Sequence, residues 1–257
     1  MTTAAQKLAQ QNRGTIFVED GEILRIEKFD GEQFVQRIRA PKCAAAAKAG
    51  SFVHISCDET LPMRRPLSIM RAQDDWIEVL YKTHGWGLHL LAEKGPGDVV
   101  SVLGPIGQPF RLDPERPRVL MIGGGVGIPP MVFLADTLRH DSHYSAHAIL
   151  GSEIPFPFPL VPSELPFPGA DDALTSTMPL LESWRIPTRL TSLADFDGCY
   201  LGYVTDLADQ FLTQASDDER NATRIYACGP TPMLQAVATL AAKHKVACDV
   251  SLEEFMA

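Results

Sequence analysis

Residues 113–117, Asp-Pro-Glu-Arg-Pro, separate two stretches of different sequence texture. Two prolines and three charges in five residues cannot continue a central strand, so a domain boundary is expected there. Ahead of it, short β-rich runs at 15–18, 33–39, 52–57, 67–71, 76–82 and 98–103 are broken by Gly, Pro and Asp. That spacing predicts a closed antiparallel sheet. Beyond it, apolar strand patterns at 118–123, 145–150, 188–193, 224–228 and 247–252 alternate with helical patterns at 130–139, 204–212 and 231–245. Strand-helix alternation predicts a parallel sheet covered on both faces. The expected fold is therefore an antiparallel β-barrel domain over 13–112 followed by a Rossmann-like α/β domain over 117–257.

Composition narrows the function classes. Of 257 residues 45% are apolar and 21% charged, enough for a real core and far from the regime of disorder. The net charge of −9 opposes phosphate backbones and anionic membranes, so no nucleic acid and no membrane partner is expected. Residues 1–12 are polar and Ala/Gln-rich with no apolar stretch, and no run reaches membrane-spanning length, so a cytoplasmic protein is expected. Five scattered cysteines without a C-x-x-C give neither a disulfide framework nor a metal site. The proline-rich stretch 155–168 fits neither helix nor central strand. It reads as a surface excursion anchored by Phe156, Phe158 and Phe167, or else as a lid or partner-docking loop.

Three loops carry chemistry. After the apolar run Leu120-Met121-Ile122 come Gly123, Gly124, Gly125, Val126, Gly127, Ile128, Pro129 and Pro130, then an apolar helix. A strand ending in glycines lets backbone approach a pyrophosphate at a helix N-terminus, although this is not G-x-G-x-x-G and a purely structural turn is the bland alternative. The second loop, Cys228-Gly229-Pro230 between strand and helix, would reach the same carboxyl-end rim. Alone, Cys228 reads as a packing thiol; beside the glycine loop it reads as part of a crevice. In the first half, Arg65-Pro66-Leu67-Ser68, then Leu80-Tyr81-Lys82, then Gly85-Trp86-Gly87-Leu88 opening a short helix, combine a guanidinium fork with an anion-binding nest. Singly, Arg65 could be a surface ion-pair residue and Trp86 a packing anchor.

The ordered set R-P-L-S (65–68), Y-K-x-x-G-x-G (81–87), G-P-I-G-x-x-F (104–110), G-G-G-V-G-I-P-P (123–130), C-G-P-x-P-M (228–233) and V-S-L-E-E (250–254) resembles the electron-transfer subunit of NAD-dependent, type B dihydroorotate dehydrogenase. The resemblance covers nearly the whole chain and places it in the ferredoxin reductase superfamily. It implies an FAD-binding barrel, an NAD-binding sheet, and a role in pyrimidine biosynthesis. Electrons would pass through a [2Fe-2S] cluster to the FMN of a separate dihydroorotate dehydrogenase catalytic subunit, in a hetero-oligomer. Carried over by position, Arg65, Pro66, Leu67 and Ser68 would hold FAD, with the Ser68 hydroxyl near flavin N5. Leu80, Tyr81 and Lys82 would flank the flavin and ribityl chain. Gly85, Gly87 and Leu88 would bind its pyrophosphate, while Gly124, Gly125, Gly127, Cys228, Gly229 and Pro230 would face NAD. Ser68 and Cys228 would serve the hydride exchange itself, Cys228 as a wall of the nicotinamide pocket.

Three departures qualify the match. Relatives continue from V-S-L-E-E into a cysteine-rich cluster loop, whereas the 257 residues end at Met256-Ala257 and include none of its ligands; that segment is expected to follow. Leu88 replaces the threonine common after G-x-G, removing one side-chain bond to phosphate. The 155–168 excursion is longer than the family pattern. At the end of the second expected strand, Leu150-Gly151-Ser152-Glu153 offers an acid where a 2′-phosphate would need arginine, so NAD is expected over NADP. Two alternatives stand beside this reading: a flavin or ferredoxin-type reductase serving another partner, and a non-redox nucleotide-binding assembly module.

Overall fold

The computed structural model describes residues 14–251; residues 1–13 lie outside it, as do Leu252, Glu253 and Glu254 of the V-S-L-E-E motif. Six strands, β1 (Phe17–Phe29), β2 (Gln33–Arg39), β3 (Phe52–Ser56), β4 (Arg65–Gln73), β5 (Trp76–Lys82) and β6 (Val99–Ile106), close into a barrel. Its order is β1-β2-β5-β4-β3-β6, and every pairing is antiparallel. Alternate side chains point inward, so Ile23, Ile38, Val53, Ile55, Ile69, Ile77, Val79 and Val102 fill the interior with no exposed surface. Two short helices, α1 (Pro41–Ala46) and α2 (Gly85–Ala92), flank the barrel.

β1 runs eleven residues beyond the expected 15–18. Its register shifts between Ile23 and Arg25, and this break in period, set among acidic and basic residues, hides the strand from a simple alternation count. Gly21 permits the closeness: a Cβ there would lie 2.6 Å from the Ile38 side chain.

The second half forms a parallel sheet from β7 (Arg118–Gly124), β8 (Ser145–Gly151), β11 (Thr188–Ser192), β12 (Tyr200–Leu201), β13 (Thr223–Cys228) and β14 (Ala247–Ser251). The order is β12-β11-β8-β7-β13-β14, so the winding reverses between β7 and β13. A separate pair, β9 (Val161–Pro162) and β10 (Ser176–Thr177), lies in the crossover after β8. Its helices are α3 (Ile128–Leu138), α4 (Pro179–Ser183), α5 (Val204–Gln214), α6 (Asp217–Asn221) and α7 (Thr231–His244). One face of the sheet, with Leu120, Ile122, Ile225 and Ala227, packs under α5 and α7 through Leu207, Phe211, Leu234 and Val237. The opposite face, with Val119, Met121, Ala148 and Leu150, packs under α3.

Helix α3 is apolar except for Asp136 and Thr137 in its last turn, and nine of its eleven residues are buried, because it is enclosed from two sides. It covers β7 and β8 and also packs against barrel strand β4. The connector between barrel and sheet is fixed as well: Asp113 pairs with Arg116 at 2.7 Å and with Arg224 of β13 at 2.9 Å, and the Tyr226 hydroxyl donates to the Arg111 carbonyl at 2.7 Å.

The excursion after β8 is anchored by Phe156, Phe158 and Phe167, all buried. It also touches the barrel. Gln33 Nε2 donates to the Pro155 carbonyl at 2.7 Å and to the Asp30 carbonyl at 2.9 Å, and Ile154 lies so close to Gly31 that a Cβ there would meet its Cδ1 at 2.8 Å. Among the described residues no helix is long and apolar enough to cross a membrane.

Candidate functional site

The two loops at the carboxyl ends of β7 and β13 meet at the point where the sheet's winding reverses, the place where open α/β sheets bind ligands. Strand register sets Cys228 beside Gly123. Beyond Gly124 the chain makes a 3₁₀ turn, Gly125–Gly127, before α3 begins. A Cβ on Gly127 would stand 2.1 Å from the Cys228 carbonyl oxygen and 2.6 Å from the Gly229 nitrogen. The loops therefore lie backbone against backbone, and only glycine fits between them. Gly125, at φ +54°, takes a left-handed conformation facing open space.

Met233, in the first turn of α7, fills the space above Gly124 and Gly229. A Cβ on Gly124 would come 2.5 Å from its sulfur, and one on Gly229 2.5 Å from its methyl carbon. Sequence reasoning quoted Met233 in a motif and gave it no role; the signal was a methionine one turn after C-G-P. Cys228 and Gly229 are buried and Pro230 is exposed. Pro129 and Pro130 occupy the first turn of α3 and carry no N–H. The N–H groups offered to an anion here belong to the glycine turn, with the helix dipole behind them, rather than to the first turn of α3.

On the barrel side, Leu67 and Ile69 point inward. Ser68, between them, shares the outer face of β4 with Pro66 and Met70, the face against which α3 packs. Ser68 is half-buried and Pro66 exposed. On β5, Leu80 occupies the outer face one step beyond the Ile69–Val79 pair, and this strand packs against the glycine turn. The structure thus brings Ser68 and Leu80 to the seam where barrel meets sheet.

Tyr81 is not brought there. Strand alternation turns it into the barrel, 1% exposed and stacked on Phe34 with ring centroids 5.6 Å apart. Its hydroxyl has no hydrogen-bond partner, and burial pushes its pKa well above the ordinary tyrosine range. Only the Tyr81 backbone lies along the outer face. Lys82, next in line, is exposed.

Arg65 begins β4 and reaches α2. A Cβ on Gly87 would lie 3.0 Å from Arg65 Nε and 3.1 Å from Nη2, so the guanidinium rests against the bare backbone of the helix's first turn. Gly85 opens that turn at φ +73°, and no side chain caps it. Leu88 is half-buried against the core, which satisfies it as a packing residue in place of a phosphate donor. Of the adjacent arginines, Arg64 donates to Ser101 through its carbonyl and hydroxyl, both at 2.9 Å. Arg65 donates to the Met63 carbonyl at 3.0 Å and keeps its plane beside α2. Behind it, burial pushes the Cys57 thiol up to about 11 while Arg65 and Lys94 pull the other way.

The arrangement fits a dinucleotide diphosphate. A planar cation, uncapped first-turn N–H groups and the absence of a side chain at Gly87 together form a cradle that any Cβ would fill. At the second site, the glycine turn offers close backbone approach, and Glu153 stands exposed past the end of β8, where a ribose would be recognised. Among the described residues no three His, Cys, Asp or Glu side chains gather as a metal site.

No family model matches the chain. Curated relatives do. The Desulforamulus reducens protein named dihydroorotate dehydrogenase B (NAD(+)), electron transfer subunit, is 28% identical over 93% of this chain and 84% of its own length. The Bacillus caldolyticus protein of the same name is 32% identical over 87% of this chain and 75% of its own. Among solved structures, an NADH-dependent reduced ferredoxin-NADP oxidoreductase superposes with TM-score 0.72 at 25% identity, covering 92% of this chain and 77% of that one. Phthalate dioxygenase reductase shares the fold, with TM-score 0.61 at 18% identity over 93% of this chain and 69% of its own. The chain belongs to the family of electron transfer subunits of dihydroorotate dehydrogenase B (NAD(+)).

Proposed function

We propose that this protein is a flavoprotein oxidoreductase component that moves electrons between NAD and a partner dihydroorotate dehydrogenase catalytic subunit. FAD belongs to the barrel, 13–112, and NAD to the sheet, 117–257. A [2Fe-2S] cluster, which the family carries on a later segment, would link FAD to the partner's FMN. The observation that carries the reading is the placement of the Arg65 guanidinium against the first turn of α2 at Gly87, on the strand whose outer face presents Ser68 at the glycine turn's seam.

When bound, the two cofactors supply the redox chemistry, passing two electrons between nicotinamide and flavin. The protein binds, orients and excludes water. Arg65 neutralises the FAD diphosphate together with the N–H groups of α2, and Gly85 and Gly87 keep that surface bare. The Ser68 Oγ would hydrogen-bond the flavin at N5. Leu80, buried beneath the glycine turn, and the wall formed by Cys228 and Gly229 keep the reacting edges dry. Gly124, Gly125 and Gly127 admit the NAD diphosphate, and Glu153 favours the free ribose of NAD over a 2′-phosphate. None of the five cysteines is disulfide-bonded, which supports work in the reducing cytoplasm.

The test is direct. Purified protein should show a flavin absorption band that NADH bleaches. Co-expressed with an FMN-containing dihydroorotate-oxidising subunit, it should co-purify as a hetero-oligomer that reduces NAD⁺ with dihydroorotate. A colourless protein that refuses added FAD refutes the flavin assignment, and a yellow one that ignores that subunit refutes the partner.

A further inference from the structure

Trp86 stands in the first turn of α2 between Gly85 and Gly87, and it is 65% exposed. Side chains on a helix lean toward its N-terminus, so the indole overhangs the end where Arg65 meets the bare backbone. Met63, whose carbonyl accepts from Arg65, is 54% exposed beside the same guanidinium. Two large exposed apolar residues thus neighbour in the chain the two members of one cationic, N–H-lined cradle, Arg65 and Gly87. Scattered exposed apolar residues need no explanation, but these two border a diphosphate site. Such a combination recognises a nucleotide: the cradle takes the diphosphate and a flat apolar surface takes the base.

The other two tryptophans are engaged elsewhere. Trp76 lies 3.9 Å beneath the Arg37 guanidinium, and Trp184 lies 4.6 Å from that of Arg139. The seam residues Ser68 and Leu80 occupy the flavin end of the site. We propose that Trp86 stacks on the adenine ring of FAD, making the adenylate half of the cofactor a recognised element of the barrel site. The inference rests on the reading of the barrel as the FAD site.

The full-length protein, stripped of flavin, is titrated with FAD, FMN and ADP while tryptophan emission is followed. ADP, which has no flavin to accept excitation energy, quenches emission, and FMN, which lacks adenylate, binds more weakly than FAD. Trp86→Ala weakens FAD and ADP about tenfold, the scale of base stacking on an aromatic ring. Trp86→Phe restores affinity and abolishes the quench. Equal FAD affinity in wild type and Trp86→Ala, or an ADP quench that persists in Trp86→Phe, overturns the role of Trp86. Failure of the wild type to bind FAD, or FAD affinity unmoved by Arg65→Ala, overturns the barrel reading instead.

Discussion

Replacing Gly127 with alanine tests the meeting of the two loops most sharply. The new methyl would stand 2.1 Å from the Cys228 carbonyl oxygen, 2.3 Å from its carbon and 2.6 Å from the Gly229 nitrogen, all backbone atoms with no rotamer to yield. Restoring ordinary contact near 3.4 Å requires the loops to part by roughly 1.3 Å. Overpacking of this kind costs about 1–3 kcal/mol. For a chain of this size each kcal/mol lowers Tm by about 2–4 °C, so a fall of about 2–12 °C is expected. The effect on electron transfer is larger, because a misplacement of about 1 Å between reacting groups costs on the order of 100-fold in rate. Differential scanning of the flavin-loaded protein and stopped-flow bleaching by NADH measure the two losses. Gly125→Ala is the control. Its methyl enters open space, so the left-handed conformation at φ +54° alone is penalised, by about 1 kcal/mol. A Gly127→Ala protein with unaltered Tm and bleaching rate, or one no worse than Gly125→Ala, would refute the backbone-on-backbone contact.

Other outcomes follow from single groups. Arg65→Ala should weaken FAD by about 10- to 100-fold, the value of charge-assisted bonds of about 1.5–3 kcal/mol, and equilibrium dialysis would detect its absence. Ser68→Ala and Cys228→Ala should each slow flavin reduction by NADH, Ser68→Ala by about two- to tenfold for one hydrogen bond; unchanged stopped-flow traces would remove those roles. His147 provides the pH test. Wedged between Phe167 and Phe211 with Nδ1 sealed from solvent, its ring has its pKa lowered from 6.5 to about 4 by burial and by Arg118. The unfolded chain then binds this proton more readily than the folded one, so stability is full above about 6.5 and declines as pH falls toward 4. At about 1.4 kcal/mol per unit, moving from neutral pH to pH 5 should remove about 2 kcal/mol. Urea melts of wild type and His147→Gln at both pH values check it, and equal slopes in the two proteins would exclude His147 as the cause.

What could be read from sequence depended on whether the signal was local. β2 at Gln33–Arg39 and β5 at Trp76–Lys82 have the bounds read from sequence, because each is a β-rich run free of Gly and Pro and the two pair with each other without a register shift. β1 was foreshortened because the polar run Glu19-Asp20-Gly21-Glu22 breaks its apolar pattern, with the register shift between Ile23 and Arg25 following it. Tyr81 teaches a different lesson. Leu80, Tyr81 and Lys82 cannot all face one ligand when successive strand side chains alternate, so the pattern itself separates Leu80 at the seam from Tyr81 in the barrel. The glycine loop was legible as a turn against a helix. Its steric reason was not, because Gly127 is required by Cys228, a residue 101 positions away that only the reversal between β7 and β13 brings into contact. The pairing of Arg65 with Gly87 and the grip of Gln33 on the Pro155 carbonyl are invisible for the same reason.

These long-range contacts bear on how the two halves hold a fixed spacing. Domains joined through a small polar interface are expected to move against one another. Here the helix that follows the glycine turn is the shared core: α3 is buried on its β7–β8 side and again under β4, the strand that presents Ser68. Met70 and Met131, from barrel and helix, belong to one continuous apolar cluster with Val119 and Leu150 of the sheet. The separation between the outer face of β4 and the glycine turn is consequently set by close packing, with little compliance. The hairpin contact of Gln33 and Gly31 with the Ile154–Pro155 segment adds a second fastening away from the helix. Two cofactors docked on these surfaces would meet at a distance fixed by core side chains, which is why substitutions inside α3, remote from any nucleotide contact, should alter electron transfer before they alter cofactor affinity.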